Sequence, residues 1–579
     1  MSAVNMEKKL TMTLSPTLSN NPLAQEHDAE VARQLREFIR DVLPEAMVPA
    51  HFVVLSELPK LPNGKIDRKH LPTPSRNERG RQAYIAPRNP HEEKIARIWQ
   101  EVLSVSQVSI EDSFFELGGD SLSVVQMVSQ VRRLFDTPIG LRYVFKNPTV
   151  AALSAYIKGK HRTAASSGLQ NLTDSELLAE AQLPDDIRVQ PNALPAITRD
   201  FRQILLTGGT GYTGAFLLRE FLDRAQATLW VIVRSDDPQQ ALERILDNLQ
   251  QYGLRRPGDE ARIVGIPGDV GRPYLGVDKT TWRRLCQDIE MIVHNAAISS
   301  YAMPYRQLKP TNVLGTLEVL RLAGAQRIKP LHYISSLSVF PGKPGEHYFR
   351  EEPIAHPNGL AGGYRQTKWV SERLITLAGE RGLPFCIYRP GQITGAQSSG
   401  ACSTDTYLNA AIKSCIQLQT ALPFDVMLEI SPVDFCAQSV AHIALSAGEQ
   451  NQIYHLTQSA PVPWHAVIDM LRVYGFKLDA VNYPQWYQRL ANALENGEDN
   501  ALGKFFSLFG EEVPSKDAGD ESSHPHYDYR NLNRALAGSG IAARQLDQAL
   551  LNRYVDYFIA SGFLPTPDDA LATRGGCCS

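Results

Sequence analysis

Tyr364 and Lys368 stand four residues apart in GGYRQTKWVSE, a spacing that puts both side chains on one face of a helix. On such a face a lysine ammonium lowers the phenol's pKa and reaches a nicotinamide ribose. A tyrosine so tuned donates a proton to a developing oxyanion while hydride arrives from the nicotinamide. A further hydroxyl lies upstream in YISSLSV, where Ser336 stands three residues before Val339; its neighbours Ser335 and Ser338 offer the same group. Tyr-x-x-x-Lys is common by chance, so the reading leans on its company: a glycine-rich loop, Asp269 in GDV, the turn Asn295-Ala296-Ala297, and Arg389-Pro390-Gly391 at a strand end.

The glycine loop is LLTGGTGYTGAFLLREFL, which satisfies two spacings: Gly208, Gly211, Gly214 as GxxGxxG, and Gly209, Gly211, Gly214 as GxGxxG. Either lets the backbone approach a pyrophosphate at a helix N-terminus. Thr207, Gly208, Gly211, Tyr212, Thr213 and Gly214 are therefore expected to line the cofactor, joined by Asp269, Asn295, Ala296, Ala297, Tyr364 and Lys368. The end of the second strand, TLWVIVR, decides between cofactors: an acid there suits the ribose hydroxyl of NAD, and an arginine the 2'-phosphate of NADP. Arg234 occupies it, with Arg244 one helix-length later as a second phosphate contact, so NADPH is expected; Asp236 and Asp237 follow closely and keep NADH open.

A second constellation, DSFFELGGDSLSVVQMV, has different chemistry. Gly118 and Gly119 allow a sharp turn, and Asp120-Ser121 start a helix whose N-terminus favours a phosphate on the serine hydroxyl. The plain alternative is a loop ending in a serine N-cap. With no His or Asp dyad nearby, Ser121 is not a hydrolytic nucleophile.

The elements that position these groups follow from the pattern of apolar residues. QILLTGG, TLWVIVR, RIVGIPGD, MIVHNAA, LHYISSLSVF and PFCIYRPGQI are short apolar runs separated by helical stretches, which implies a parallel, doubly wound sheet. After Gly395 helices dominate. EEKIARIWQEVL, DSLSVVQMVSQVRRLF and VAALSAYIK form a small helix bundle, while 71–90 and 161–200 look like linkers, the second with one helical turn.

The chain has 579 residues, enough for about three to five domains. A net charge of -3 implies no nucleic-acid surface, and no stretch approaches the length of a membrane span. Seven cysteines without metal-type spacing point to a reducing, cytoplasmic compartment. The N-terminus lacks the apolar run of a secretory signal, and the tail RGGCCS does not fit a prenylation box. No metal is expected.

GGDS with its surroundings, FFELGGDSL and FKNPTVAALSAYI, resembles the acyl and peptidyl carrier proteins over about residues 84–158. The resemblance implies a 4'-phosphopantetheine arm on Ser121, attached by a phosphopantetheinyl transferase. The dinucleotide and Tyr-Lys elements are similar to the extended short-chain dehydrogenase/reductases. PYLGV, IVHNAAISSYAMPYRQLKPTNVLGTLEVLRLA and ISPVDF narrow the match to thioester reductase domains of nonribosomal peptide synthetases, aminoadipate reductases and carboxylic acid reductases, over about 203–560. In that family the position of Ser336 is more often threonine, and the hydroxyl is retained. MVPAHFVVLSELPKLPNGKIDRKHLP looks like the C-terminal end of an adenylation domain, with Lys65 as its lysine but without the nucleotide-binding body.

The resemblances together imply a multidomain chain. An α+β adenylation-domain tail (1–78) precedes a four-helix carrier bundle (84–160) and a linker (161–200). An α/β Rossmann reductase follows (201–579), its core about 201–395 and the rest a mostly helical C-terminal substrate subdomain. The implied activity is NADPH-dependent release of an acyl or peptidyl thioester as an aldehyde or, after a second round, an alcohol, in secondary-metabolite biosynthesis. An upstream synthetase or stand-alone adenylation enzyme would supply the substrate. The alternatives are a non-redox carrier and cyclisation module, or a carboxylic acid reductase partner lacking its adenylation core.

Overall fold

A computed structural model describes residues 84–572 except 116, 120, 136–138, 140–142, 145–146, 158–170, 190–192, 197–198, 302, 342–347, 424–425, 447–449, 458–459, 497 and 509–524. The adenylation-like segment with Lys65, the residue Asp120 and the Cys577-Cys578 pair lie outside the described residues.

The described chain divides into two units, one of residues 1–123 and 148–158 and the other of residues 124–147 and 159–579. In the first, helix α1 (Pro90–Leu103) starts on Asn89, whose side chain accepts from the amides of His91 and Glu92, with Pro90 preset at the first position. Its apolar stripe buries Ile95, Ile98 and Trp99, and Trp99 meets Phe114 edge-on at 4.9 Å. Gly118 takes φ +95°, and a Cβ on Gly119 would lie 2.2 Å from the Phe114 ring, so both glycines of GGDS are sterically required. Helix α2 (Ser121–Phe135) begins in this unit at Ser121 but has its buried Val124, Met127, Val128 and Val131, at i, i+3, i+4 and i+7, within the second, whereas helix α3 (Val150–Ile157) belongs to the first.

The second unit holds a seven-stranded, wholly parallel sheet: β1 (Gln203–Thr207), β2 (Thr228–Val233), β3 (Ile263–Pro267), β4 (Met291–His294), β5 (Leu331–Ile334), β6 (Phe385–Pro390) and β7 (Gln452–Leu456). Their spatial order is 7-6-5-4-1-2-3, so the topology switches direction between β1 and β4. Alternation along the strands feeds two cores. Ile204, Leu206 and Val231 face one cluster, while Leu205, Trp230 and Ile232 face the other. Helices α5 (Tyr212–Arg224) and α6 (Pro238–Gln251) follow β1 and β2, and α10 (Gly363–Glu380) precedes β6. Between β3 and β5 come α7 (Lys279–Asp288), α8 (Tyr305–Lys309) and α9 (Gly315–Gly324), the last two joined by a π turn at Pro310–Leu314.

Two boundaries differ from those read in the sequence. The seventh strand lies well beyond residue 395, so the sheet recruits a piece of the region expected to be wholly a substrate subdomain. From residue 171 the expected linker is built into the reductase. Helix α4 (Asp174–Glu180) begins with a reciprocal capping box between Thr173 and Glu176, and Leu177 and Ile187 are fully buried in the sheet's core. Asn171 accepts from the Gly362 amide at 2.8 Å, and Leu172 exchanges hydrogen bonds with the Gln366 side chain at 2.8 and 3.2 Å, so this segment seats the first turn of α10. The apolar residues are too sparse to give a period, but TDSE ahead of a Leu-Leu pair is a legible helix start. Leu177→Ala is expected to destabilise the reductase by about 2–5 kcal/mol in chemical denaturation; a loss under about 0.5 kcal/mol, typical of a surface position, would restore the linker assignment.

Candidate active site

The glycine loop connects β1 to α5 at the switch point. Gly208 takes φ +73°, and a Cβ there would lie 2.8 Å from the Ala296 amide nitrogen; one on Gly214 would lie 2.0 Å from the Gly208 carbonyl oxygen. Only hydrogen fits at these two positions, which is what close backbone approach to a pyrophosphate needs. Gly211 is the N-cap of α5 and supplies no side-chain acceptor, leaving the helix's first amides available to an anion. Gly209 meets Val231 and Leu218 instead, its Cβ falling 2.6 Å from a Val231 methyl, so it serves the contact with β2.

Underneath, Thr207 Oγ1 shares a 2.7 Å hydrogen bond with His294 Nδ1 and accepts from the Ala296 amide at 3.1 Å. Asn295 donates to the Gly208 carbonyl at 3.2 Å, so Thr207, Gly208, Asn295 and Ala296 form one connected floor, with Ala297 following. No motif singles out His294; burial and the Lys368 charge push its pKa down to about 3, so it is a neutral bridge between Thr207 and Thr316.

The Tyr212 side chain departs from the expected cofactor role. Its phenol lies against the carbonyls of Thr394 and Ala401, at 2.9 and 2.8 Å, and its ring packs with Phe216 and Tyr252. The aromatic ring prefers the core between α5 and the chain after β6, leaving the backbone of Tyr212 and Thr213 to the loop. A contributor that the sequence does not reveal is Asn248 on α6, which donates to the carbonyls of Gly209 and Gly211, each at 3.1 Å.

The same helix carries the groups beside the second strand. Arg244 donates to the Arg234 backbone carbonyl, and both arginines are exposed. Asp237 caps α6 by accepting from the Gln240 amide at 2.9 Å, and the Asp236 amide donates to Gln240 Oε1 at 3.0 Å. Asp237 thus has a helix-capping role independent of any ribose. Asp269 lies past β3, its amide donating to the Leu275 carbonyl at 2.8 Å and its carboxylate accepting from Gly271 at 3.0 Å.

Ser336 and Tyr364 come together from β5 and α10. Ser336 caps the short turn Leu337–Val339 by accepting from the Ser338 amide at 3.1 Å, and its hydroxyl is a group that acts to lower the pKa of the Tyr364 phenol. Tyr364 is buried, and Tyr301 crosses it edge-on with centroids 5.5 Å apart. Burial holds its pKa well above the ordinary phenol range, with the Tyr301 charge adding and the Ser336 hydroxyl opposing. This reverses the expectation that Lys368 lowers it. Lys368 is committed elsewhere, donating to the Ile334 carbonyl at 2.7 Å and the Tyr333 hydroxyl at 3.2 Å, 4.6 Å above the Tyr333 ring.

Desolvation drives the Lys368 pKa down to about 7, partly opposed by Glu372. The ammonium therefore persists below about pH 7 and is lost above it, while Tyr364 stays protonated throughout that window. Because the charged form is the one suited to a ribose and to a phenolate, kcat/KM for hydride transfer is expected to fall as pH rises through about 7. A profile flat from about pH 6 to 8 in pre-equilibrated enzyme would contradict this.

The family model described as "Male sterility protein", an NAD-binding family, matches residues 206–440, and that for a phosphopantetheine attachment site matches residues 93–157. A linear gramicidin synthase of Brevibacillus parabrevis is 32% identical over 538 residues, covering 92% of this chain, which spans 10% of that protein's length. A thiolation-reductase di-domain from an archaeal nonribosomal peptide synthetase shares the fold, with a TM-score of 0.62 at 20% identity over 83% of this chain and 99% of that one. The terminal R domain from the myxalamid PKS-NRPS biosynthetic pathway is 37% identical with a TM-score of 0.63, and the match covers 68% of this chain and 99% of that domain. A glycine cradle at the switch point, with Ser336, Tyr364 and Lys368 at the end of β5 and the start of α10, agrees with these matches: the chain belongs to the terminal reductase domains of nonribosomal peptide synthetases, here preceded by a phosphopantetheine carrier domain.

Proposed function

We propose that this chain releases an acyl or peptidyl group, held as a thioester on a 4'-phosphopantetheine arm at Ser121, by NADPH-dependent reduction to an aldehyde and a free thiol. The observation that carries this is the placement of Tyr364, Lys368 and Ser336 at the C-terminal ends of the strands, beside a glycine loop that admits no Cβ at Gly208 or Gly214. The supplier of the thioester is an upstream synthetase module or a separate adenylating enzyme, and a phosphopantetheinyl transferase attaches the arm.

Bound NADPH supplies the hydride; the rest falls to the chain. The loop amides and the start of α5 hold the pyrophosphate, and Arg234 with Arg244 favours a 2'-phosphate over a bare hydroxyl. Ser336 and Tyr364 hydrogen-bond the thioester carbonyl oxygen, and the phenol gives its proton to the oxygen as charge develops there. Lys368 holds the nicotinamide ribose and stabilises the phenolate through its field. A cyclising, non-redox module has no use for this buried donor and cation. The five described cysteines are all free and buried, which supports a reducing, cytoplasmic setting.

Three variants test the reading. Ser121→Ala should fold and gain no phosphopantetheine mass with a transferase; an increment in intact mass would remove the carrier role from this residue. In NADPH oxidation with a short acyl-pantetheine thioester, Tyr364→Phe should lose about 10²–10⁴-fold in kcat while still binding NADPH; parental turnover would end the proton-donor assignment. Arg234→Asp should erode the preference for NADPH over NADH, and a parent indifferent to the two would refute the phosphate contact.

A further inference from the structure

We propose that Arg365 is a positioning residue for thioester reduction, its guanidinium clamping the turn that carries Ser336 onto the helix that carries Tyr364. The assignment rests on the reductive reading above and adds a residue to it. Arg365 follows Tyr364 directly on α10, so whatever it grips is fixed relative to the phenol. Its Nε donates to the Ser338 carbonyl at 2.9 Å and its Nη2 to the Phe340 carbonyl at 2.6 Å. Those carbonyls belong to the same short turn that Ser336 begins. Within it the Ser338 amide donates to Ser336 Oγ at 3.1 Å, the Val339 amide to the Ser336 carbonyl at 3.3 Å and the Phe340 amide to the Leu337 carbonyl at 3.3 Å. The turn is thus closed internally at the serine end and gripped externally at the other.

The fork geometry matters. Two donors of one planar fork match two carbonyls of one turn at a fixed spacing, which the rotatable ammonium of a lysine does not impose. No ion pair among the described residues includes Arg365, and the groups that act on its charge are the phenols of Tyr301 and Tyr527. A partly buried cation without a carboxylate is retained here for its directional hydrogen bonds. Their effect is to hold the Ser336 hydroxyl and the Tyr364 phenol at a fixed separation, so that both reach one carbonyl oxygen. Displacing catalytic groups by about 1 Å costs about 10²-fold in rate, which sets the scale.

The test is a double-variant cycle in kcat for NADPH oxidation with a short acyl-pantetheine thioester, beside NADPH titration by fluorescence. Arg365→Gln is expected to lower kcat by about 10–10²-fold without changing NADPH affinity, with Arg365→Lys in between. In a Ser336→Ala background the same substitution should change kcat by no more than about twofold, because the hydroxyl it aims is gone. Losses that multiply in the double variant, or NADPH affinity that falls as much as kcat, overturn the assignment. Should Arg365→Gln fail to fold, Arg365→Lys, which keeps the charge and one carbonyl contact, carries the cycle with the same criteria. A parent that does not oxidise NADPH with the thioester overturns the reductive reading and this assignment with it; an active parent with multiplying losses overturns the assignment alone.

Discussion

A cation buried at the C-terminal end of an interior strand sets the terms for everything around it. Lys368 is 2% exposed and rests on one carbonyl, one phenol and one ring face. Taking an ammonium out of water costs several kcal/mol, and neutral dipoles with a ring quadrupole offset only part of it; the depressed pKa registers what is left. The carboxylate one turn further along α10, Glu372, is already committed: Arg389, fully buried, grips it with Nε at 3.1 Å and Nη2 at 2.7 Å. Tyr364, Lys368 and Glu372 thus form a single stripe at i, i+4 and i+8, in which donor, cation and structural anion are each assigned a different partner.

That stripe also ties the late part of the chain to the site. Arg389 on β6 reaches His455 on β7 at 3.2 Å and the carbonyl of Glu352 at 3.1 Å. Next to it, Glu351 accepts from the His455 amide at 2.9 Å and, through its other oxygen, from Asn531 at 2.5 Å, at the start of a helix spanning Arg530–Leu536. Burial raises the Glu351 pKa to about 7 against these two hydrogen bonds and a third from the Leu532 amide at 3.3 Å. Removing one member of a buried pair such as Glu372–Arg389 costs about 3–5 kcal/mol. Strand β7 and the helix Arg530–Leu536 are therefore fastened to the network that holds Glu372, two turns along α10 from Tyr364.

What could be read in the sequence is what short spacing encodes. The glycines, the Tyr-Lys pair and the six expected strands are local patterns: the strands form, Gly208 and Gly214 admit no Cβ, and Tyr364 and Lys368 share one helix. The misses are all long-range. The segment from residue 171 is fixed by bonds to Gly362 and Gln366, almost 200 positions away, and Asn248 reaches back 37 and 39 residues to the loop. Tyr212 sits inside the glycine motif, yet its hydroxyl is claimed by carbonyls about 180 positions later. No local period announces such partners. The direction of the Tyr364 shift is hidden for a related reason: spacing puts Lys368 on the same face, but only the fold shows that β5 takes the ammonium's hydrogen bonds.

Those hydrogen bonds constrain how the lysine can act. An ammonium has three N–H groups. Two are directed to Ile334 and Tyr333, leaving one for a partner in the cleft. A ribose hydroxyl and the phenol cannot both take it, so a lysine that holds the ribose influences Tyr364 through its field and not by contact. Ser336 has one hydroxyl proton, so in the proposed reduction it serves the thioester oxygen and not the phenolate, although in the resting protein it opposes the rise in the phenol's pKa. With Tyr364 kept neutral by burial, the proposed proton transfer depends on how Ser336 and Tyr364 are held relative to one substrate oxygen and not on a contact between phenol and lysine.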